Sequence, residues 1–138
     1  MDPYPAFLEV LRRRSAEVGL AVATAKDRPS LLRLLERYGI RDLFRDEWIL
    51  DKETGVSKVR HLEELSRRSR VAPAEISFID DKVNHLDSVA GLGVRCALAA
   101  WGYNGERERA LARERGYLVC TLDDFETQLF EGGGALGG

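Results

Sequence analysis

The sequence predicts an α/β domain in which a parallel sheet is covered by helices on both faces. Two observations carry this. Short, continuous apolar runs alternate along the chain with longer segments whose apolar residues recur at helical spacing, and several of those segments stop at glycine. Continuous apolar runs suit strands buried on both faces, and a strand–helix–strand alternation closes as a parallel crossover. A chain of 138 residues is long enough for one domain with a real core and short for two. That domain is expected over residues 1–131, with a Gly-rich tail at 132–138 that has too little to bury and is expected to be disordered.

The elements follow in order. YPAFLEVLRRRSAEVG, from Tyr4, reads as a helix, with Phe7, Leu8, Leu11 and Val18 near helical spacing, Pro5 in its first turn and Gly19 as its stop. LAVAT, ending at Thr24, is a buried strand. DRPSLLRLLERYG is the clearest helix: Asp27 caps it, Pro29 sits in its first turn, Leu31, Leu34, Leu35 and Tyr38 form a stripe, and Gly39 closes it. DEWILD is a strand and ETGVS a loop. KVRHLEELSRRSR is a helix with Val59, Leu62 and Leu65 inward. EISFID is a strand, KVNHLDSVAGLG a helix and VRCALA a strand. ERERALARERG is a charged surface helix, YLVCT a last strand and LDDFETQLF a last helix.

Composition narrows the function. Lys and Arg number 21 against 23 Asp and Glu, for a net charge of −2, so no broad surface for nucleic acid or anionic membrane is expected. The arginine clusters LRRRS, SRRSR and GERERALARERG lie on helices beside acids and read as solvated faces. No apolar run approaches the ~20 residues that span a bilayer. The start, MDPYPAFLEV, has no basic segment followed by an apolar one, so a cytoplasmic protein is expected. Cys96 and Cys120 stand in apolar segments without a CxxC or Cys/His cluster, which predicts two reduced, buried thiols and no zinc.

The stretch EISFIDDKVNHLD places Asp80 and Asp81 side by side at the end of an apolar run. One reading is a solvated strand end with Asp81 capping the next helix. The other is a cation site, because a bound divalent ion removes the repulsion between adjacent carboxylates and takes their oxygens as hard ligands. In parallel sheets ligands bind beyond the carboxyl ends of the strands. Thr24, Asp51, Asp80, Asp81 and the WGYN loop all fall at such ends, and Lys58 opens a helix just after one. These residues are expected to converge on one edge. Thr24 can donate to a phosphoryl oxygen, Lys58 can add positive charge there, and Asp80 with Asp81 can hold Mg²⁺. Backbone N–H groups at the start of the Asp27 helix could add donors. Asp27 is either a cap or an activator of water, and Asp51 either an ordinary strand-end acid or a further metal ligand. Trp101 and Tyr103 either make an exposed contact or pack over the sheet edge.

With those residues in place, LAVATAKDR, GVSKVRHLEEL and EISFIDDKVNHLDSVAGLGVRC resemble the second, third and fourth motifs of the haloacid dehalogenase-like hydrolases. The nearest likeness is to the small, capless magnesium-dependent phosphatases, over roughly residues 3–100. The resemblance implies a three-layer, Rossmann-like parallel sheet. It implies phosphate binding by Thr24, a lysine at Lys58 that steadies the phosphorylated intermediate, and an acidic metal pair at Asp80 and Asp81, with Asn84 in support. The family's first motif departs: its Asp-x-Asp, which supplies nucleophile and acid, occurs nowhere in the 138 residues, and the central strand that carries it is missing with it. The gap could be closed by direct pairing of the Thr24 and Asp80 strands or by a strand from another segment or chain, or the sequence is a fragment or a misread start of a longer protein. The expected function is thus a phosphohydrolase-type domain that binds Mg²⁺ and a phosphate or small phosphomonoester and is incomplete as a catalyst. The alternative is a non-catalytic binding, regulatory or scaffold protein on the same fold, acting as a homodimer.

Overall fold

The computed structural model describes residues 5–55, 57–102 and 104–131. The chain divides into two compact units, Met1–Arg70 and Val71–Gly138. The tail at 132–138 and Tyr103 lie outside the described residues.

The first unit is built on one strand–helix–strand crossover. Helix α1 (Pro5–Arg14) precedes strand β1 (Val22–Ala23), helix α2 (Arg28–Arg37), strand β2 (Ile49–Leu50) and helix α3 (Lys58–Ser69). Strands β1 and β2 run parallel, Val22 facing Ile49 and Ala23 facing Leu50, and the Thr24 N–H extends the ladder to the Leu50 carbonyl at 2.9 Å. Helix α2 forms for the reasons its sequence announces. The Asp27 carboxylate accepts the Ser30 N–H at 3.1 Å and Pro29 stands where no intrahelical N–H is needed. Its stripe buries Leu31 and Leu35 against Ile40, Phe44 and Ile49. Gly39 then turns the chain at φ 71°, a left-handed conformation that suits glycine. Helix α3 begins at Ser57, whose hydroxyl accepts the Arg60 N–H at 3.2 Å, and buries His61, Leu62 and Leu65.

Two expectations change here. Helix α1 stops at Arg14 rather than at Gly19, and Gly19 instead lies so close to the Trp48 ring that a Cβ there would collide with it. The strand expected over DEWILD is shorter, because Asp46–Trp48 form a 3₁₀ turn whose Trp48 N–H returns to the Arg45 carbonyl at 3.0 Å.

The second unit carries two consecutive crossovers. Strand β3 (Ser77–Asp80), helix α4 (Val83–Ala90), strand β4 (Arg95–Ala99), helix α5 (Glu106–Glu114) and strand β5 (Leu118–Cys120) follow one another. The sheet order is β3-β4-β5, all parallel, with Asp80 facing Leu98 and Ala99 facing Cys120. Central β4 is the unbroken apolar run expected of a strand covered on both faces: Cys96, Ala97, Leu98 and Ala99 are all buried. Helix α4 packs Val83, Leu86 and Val89 inward. The last helix expected over LDDFETQLF opens in a reciprocal turn, where the Thr121 N–H donates to the Asp124 carboxylate at 2.7 Å. It ends in a π-helical segment, Thr127–Glu131. Both cysteines are buried and free.

Candidate functional site

The first unit brings Thr24 and Lys58 together. Lys58 is the first residue of α3, and its Nζ donates at 3.0 Å to the carbonyl of Ala23, the residue before Thr24. Both side chains are half-buried. Thr24 Oγ1 accepts the Lys26 N–H at 3.2 Å, which closes a small turn just past the strand. A hydroxyl and an ammonium therefore stand at the carboxyl end of β1, the place where parallel sheets take ligands. An ammonium has three donors, and the Ala23 bond uses one.

Lys58 is placed by the loop that precedes α3, through a histidine that sequence reasoning did not single out. Fully buried His61 sets Nε2 between the Asp51 carbonyl, at 3.0 Å, and the Gly55 carbonyl, at 2.6 Å. Two carbonyl partners require that nitrogen to carry the proton. The imidazole thus ties both ends of the Asp51–Gly55 loop to α3, one turn below Lys58. Asp51 itself is 3% exposed; its carboxylate accepts the Glu53 N–H at 2.9 Å and pairs with Arg28 at 3.3 Å. Those partners fit a structural acid better than a metal ligand. Asp27 is likewise the cap of α2. Its pKa is held below the ordinary carboxylate value, chiefly by the Ser30 backbone N–H and then by the Ser30 hydroxyl.

The second unit holds the acidic pair. Asp80 is the last residue of β3, and its side chain is 12% exposed. Its Oδ1 accepts the Lys82 N–H at 3.0 Å and lies 3.0 Å from His85 Nδ1. Asp81 follows, half-buried, with its carbonyl accepting a bond from Asn104 Nδ2 at 3.1 Å. Gly102 lies against Asp81 so closely that a Cβ there would collide with the Asp81 Cβ. The residue that supports Asp80 from helix α4 is His85; Asn84, expected in that part, is exposed. Lys82, not Asp81, stands at the N-cap of α4. Trp101 packs against Phe125 with ring centroids 5.3 Å apart, in line with the packing role.

The donor set fits magnesium. Mg²⁺ binds through one or two carboxylates plus waters and phosphate oxygens, and dedicated cages are uncommon for it. Asp80 and Asp81 supply two hard carboxylates at a strand end, and Asp80 is already oriented by a backbone N–H and an imidazole. Among the described residues no group of three or more His, Cys, Asp or Glu gathers as a cage.

Comparison with known proteins bears on the fold. No family model matches the sequence. The chain is 25% identical over 123 residues to a phosphoglycolate phosphatase of Synechococcus elongatus, which covers 88% of this chain and 56% of that protein. It is 31% identical over 93 residues to the tyrosine-protein kinase PtkA of Mycobacterium tuberculosis, covering 65% of this chain and 31% of the kinase. The chain therefore spans about half the phosphatase and a third of the kinase. A haloacid dehalogenase-like family hydrolase from Streptococcus pneumoniae superposes with a TM-score of 0.76 at 16% identity, covering 91% of this chain and 59% of that one. The chain thus has the fold of a haloacid dehalogenase-like hydrolase, the fold that the resemblance read from the motifs implied.

Proposed function

We propose that the chain is a phosphohydrolase-type domain that binds Mg²⁺ through Asp80 and Asp81 and a phosphate or small phosphomonoester through Thr24 and Lys58. The observation that carries the reading is the Asp80 carboxylate at the end of β3. Its Oδ1 is held by the Lys82 N–H and faces His85, and the Asp81 carboxylate follows at the next residue. A carboxylate fixed in this way loses less freedom when it meets a cation. Bound Mg²⁺ would neutralise phosphate oxygens and hold them in place. Thr24 donates through its hydroxyl, and Lys58 supplies a full positive charge from an ammonium already anchored on Ala23.

No Asp-x-Asp occurs in the sequence, so no side chain stands in for the nucleophile and acid of the phosphatases it resembles. Binding without fast turnover is the expected behaviour of this chain on its own. The names of the two sequence relatives, a phosphatase and a kinase, share phosphoryl-group chemistry, which supports the ligand class and leaves the substrate open.

The test is calorimetric titration with Mg²⁺ and, separately, with inorganic phosphate in the presence of Mg²⁺. Asp80→Asn combined with Asp81→Asn should weaken Mg²⁺ at least about tenfold. Lys58→Met should weaken phosphate and leave Mg²⁺ alone. Turnover of p-nitrophenyl phosphate should stay near background in every variant. Absence of both Mg²⁺ and phosphate binding at millimolar concentrations rejects the reading.

A further inference from the structure

Asn104 uses every polar atom of its side-chain amide. Nδ2 donates to the carbonyls of Asp81, at 3.1 Å, and Ala99, at 2.8 Å, while Oδ1 accepts from Arg109 Nη1 at 3.1 Å. A guanidinium only donates, so Arg109 decides which end of the amide faces it, and Nδ2 must point at the two carbonyls. Those carbonyls lie just past β3 and at the end of β4, so one side chain ties adjacent strand ends together. The loop that presents Asn104 is itself tightly wound. Gly102 N–H returns to the Ala99 carbonyl at 3.0 Å, and Asn104 N–H to the Gly102 carbonyl at 2.9 Å.

The peptide between Asp81 and Lys82 links this brace to the acidic pair. Its C=O accepts from Asn104, and its N–H donates to Asp80 Oδ1 at 3.0 Å. A peptide unit is planar, so fixing the direction of the C=O fixes the direction of the N–H. Asn104 thereby steers the donor that orients Asp80 without touching Asp80. We infer that Asn104 is a positioning residue for the Asp80 and Asp81 carboxylates, acting through the Asp81–Lys82 peptide and locked in its working orientation by Arg109. The consequence for Mg²⁺ rests on the reading proposed above; the brace itself stands on hydrogen-bond geometry.

Asn104→Asp separates the two. The carboxylate keeps the size of the amide and the Arg109 contact but cannot donate to Asp81 or Ala99. Two quantities are measured by NMR: amide hydrogen exchange at Lys82 without metal, and Mg²⁺ affinity from the shifts of the Asp81 and Lys82 amides. In Asn104→Asp, Lys82 exchange should accelerate at least about tenfold and Mg²⁺ affinity should fall about tenfold. Tyr117→Phe, which removes a bond to Asp87 elsewhere in the same unit, should leave both at wild-type values. Wild-type exchange and affinity in a folded Asn104→Asp overturn the inference. If the wild type takes up no Mg²⁺ at millimolar concentration, the metal reading falls and exchange alone decides: acceleration keeps the brace, no change overturns it. Should Asn104→Asp fail to fold, Arg109→Met replaces it, because without the guanidinium the amide is free to rotate. Faster Lys82 exchange supports the inference there, and unchanged exchange overturns it.

Discussion

At the scale of single residues, the chemistry that sequence could reach was the chemistry of charged pairs. Asp80 and Asp81 stood out because two carboxylates at the end of an apolar run ask for an explanation. His61 and His85 did not, since a lone histidine gives no sign of what its ring will touch. His85 faces Asp80 from five residues on, across the turn between β3 and α4, so no helical spacing links the two. Asn104 carried only its place in the WGYN loop at a strand end, because its partners are backbone carbonyls that exist as targets only once the strands align. The thiols were easier, being apolar neighbours in strand-like runs, and they support a direct prediction. Cys120 is fully buried, and burial, with the Asp124 charge behind it, pushes its pKa up to about 11. Burial raises the Cys96 thiol as well, with Asp87 adding to it. The thiolate is the reactive form, so at about pH 8 both side chains are protonated and shielded. Ellman's reagent should label the native protein far more slowly than a free thiol and label both cysteines at once in denaturant. Fast native labelling of either one would contradict their burial.

At the scale of elements, helix α2 and strand β4 were legible nearly whole, because local and tertiary preferences agree in them. Asp27, Pro29 and Gly39 mark the ends of α2, and an unbroken apolar run marks a strand covered on both faces. Boundaries failed where tertiary contact overrides the pattern. Gly19 is spent on Trp48 rather than on ending α1, and the acids before Trp48 turn instead of extending. Helix α3 shows a third case. It ends at exposed Arg70 with φ 60°, in the left-handed region, where most helices place glycine. A side chain with a Cβ is strained there, and this arginine sits outside every ion pair described for the unit. Arg70→Gly should therefore stabilise the protein by about 0.5–1 kcal/mol, the relief at the cap being partly offset by the greater freedom of glycine in the unfolded chain. Urea unfolding checks it: the midpoint should rise with little change in slope. A lower midpoint would mean that the Arg70 side chain contributes more than its backbone costs.

At the scale of the whole chain, the fold class was legible because alternation is a global property that survives errors at individual boundaries. Two short parallel ladders in one unit and one in the other realise it, with all three pairings parallel. The ligand was less legible, since a twin acid, a hydroxyl and an ammonium name a chemistry and not a substrate. Charge balance does yield a whole-molecule statement. The arginines are numerous, yet many are matched by carboxylates nearby: Arg13 by Glu9, Arg14 by Glu17, Arg67 and Arg68 by Glu64, and Arg28 by Asp51. The pairs on the surface, Arg13 with Glu9 among them, add little stability. They do cancel the field that a polyanion would follow, and binding to nucleic acid draws its affinity from unpaired cations that release condensed counterions. With a net charge of −2, the chain should show no retardation of duplex DNA at about 150 mM salt. Replacing Glu64 with Gln frees two adjacent arginines at the end of α3 and should still not produce binding, because a two-charge patch is too small to hold a duplex at that ionic strength. Retardation of DNA by the wild type would show that a basic surface forms in spite of this pairing, and would move the search for partners away from small phosphorylated molecules.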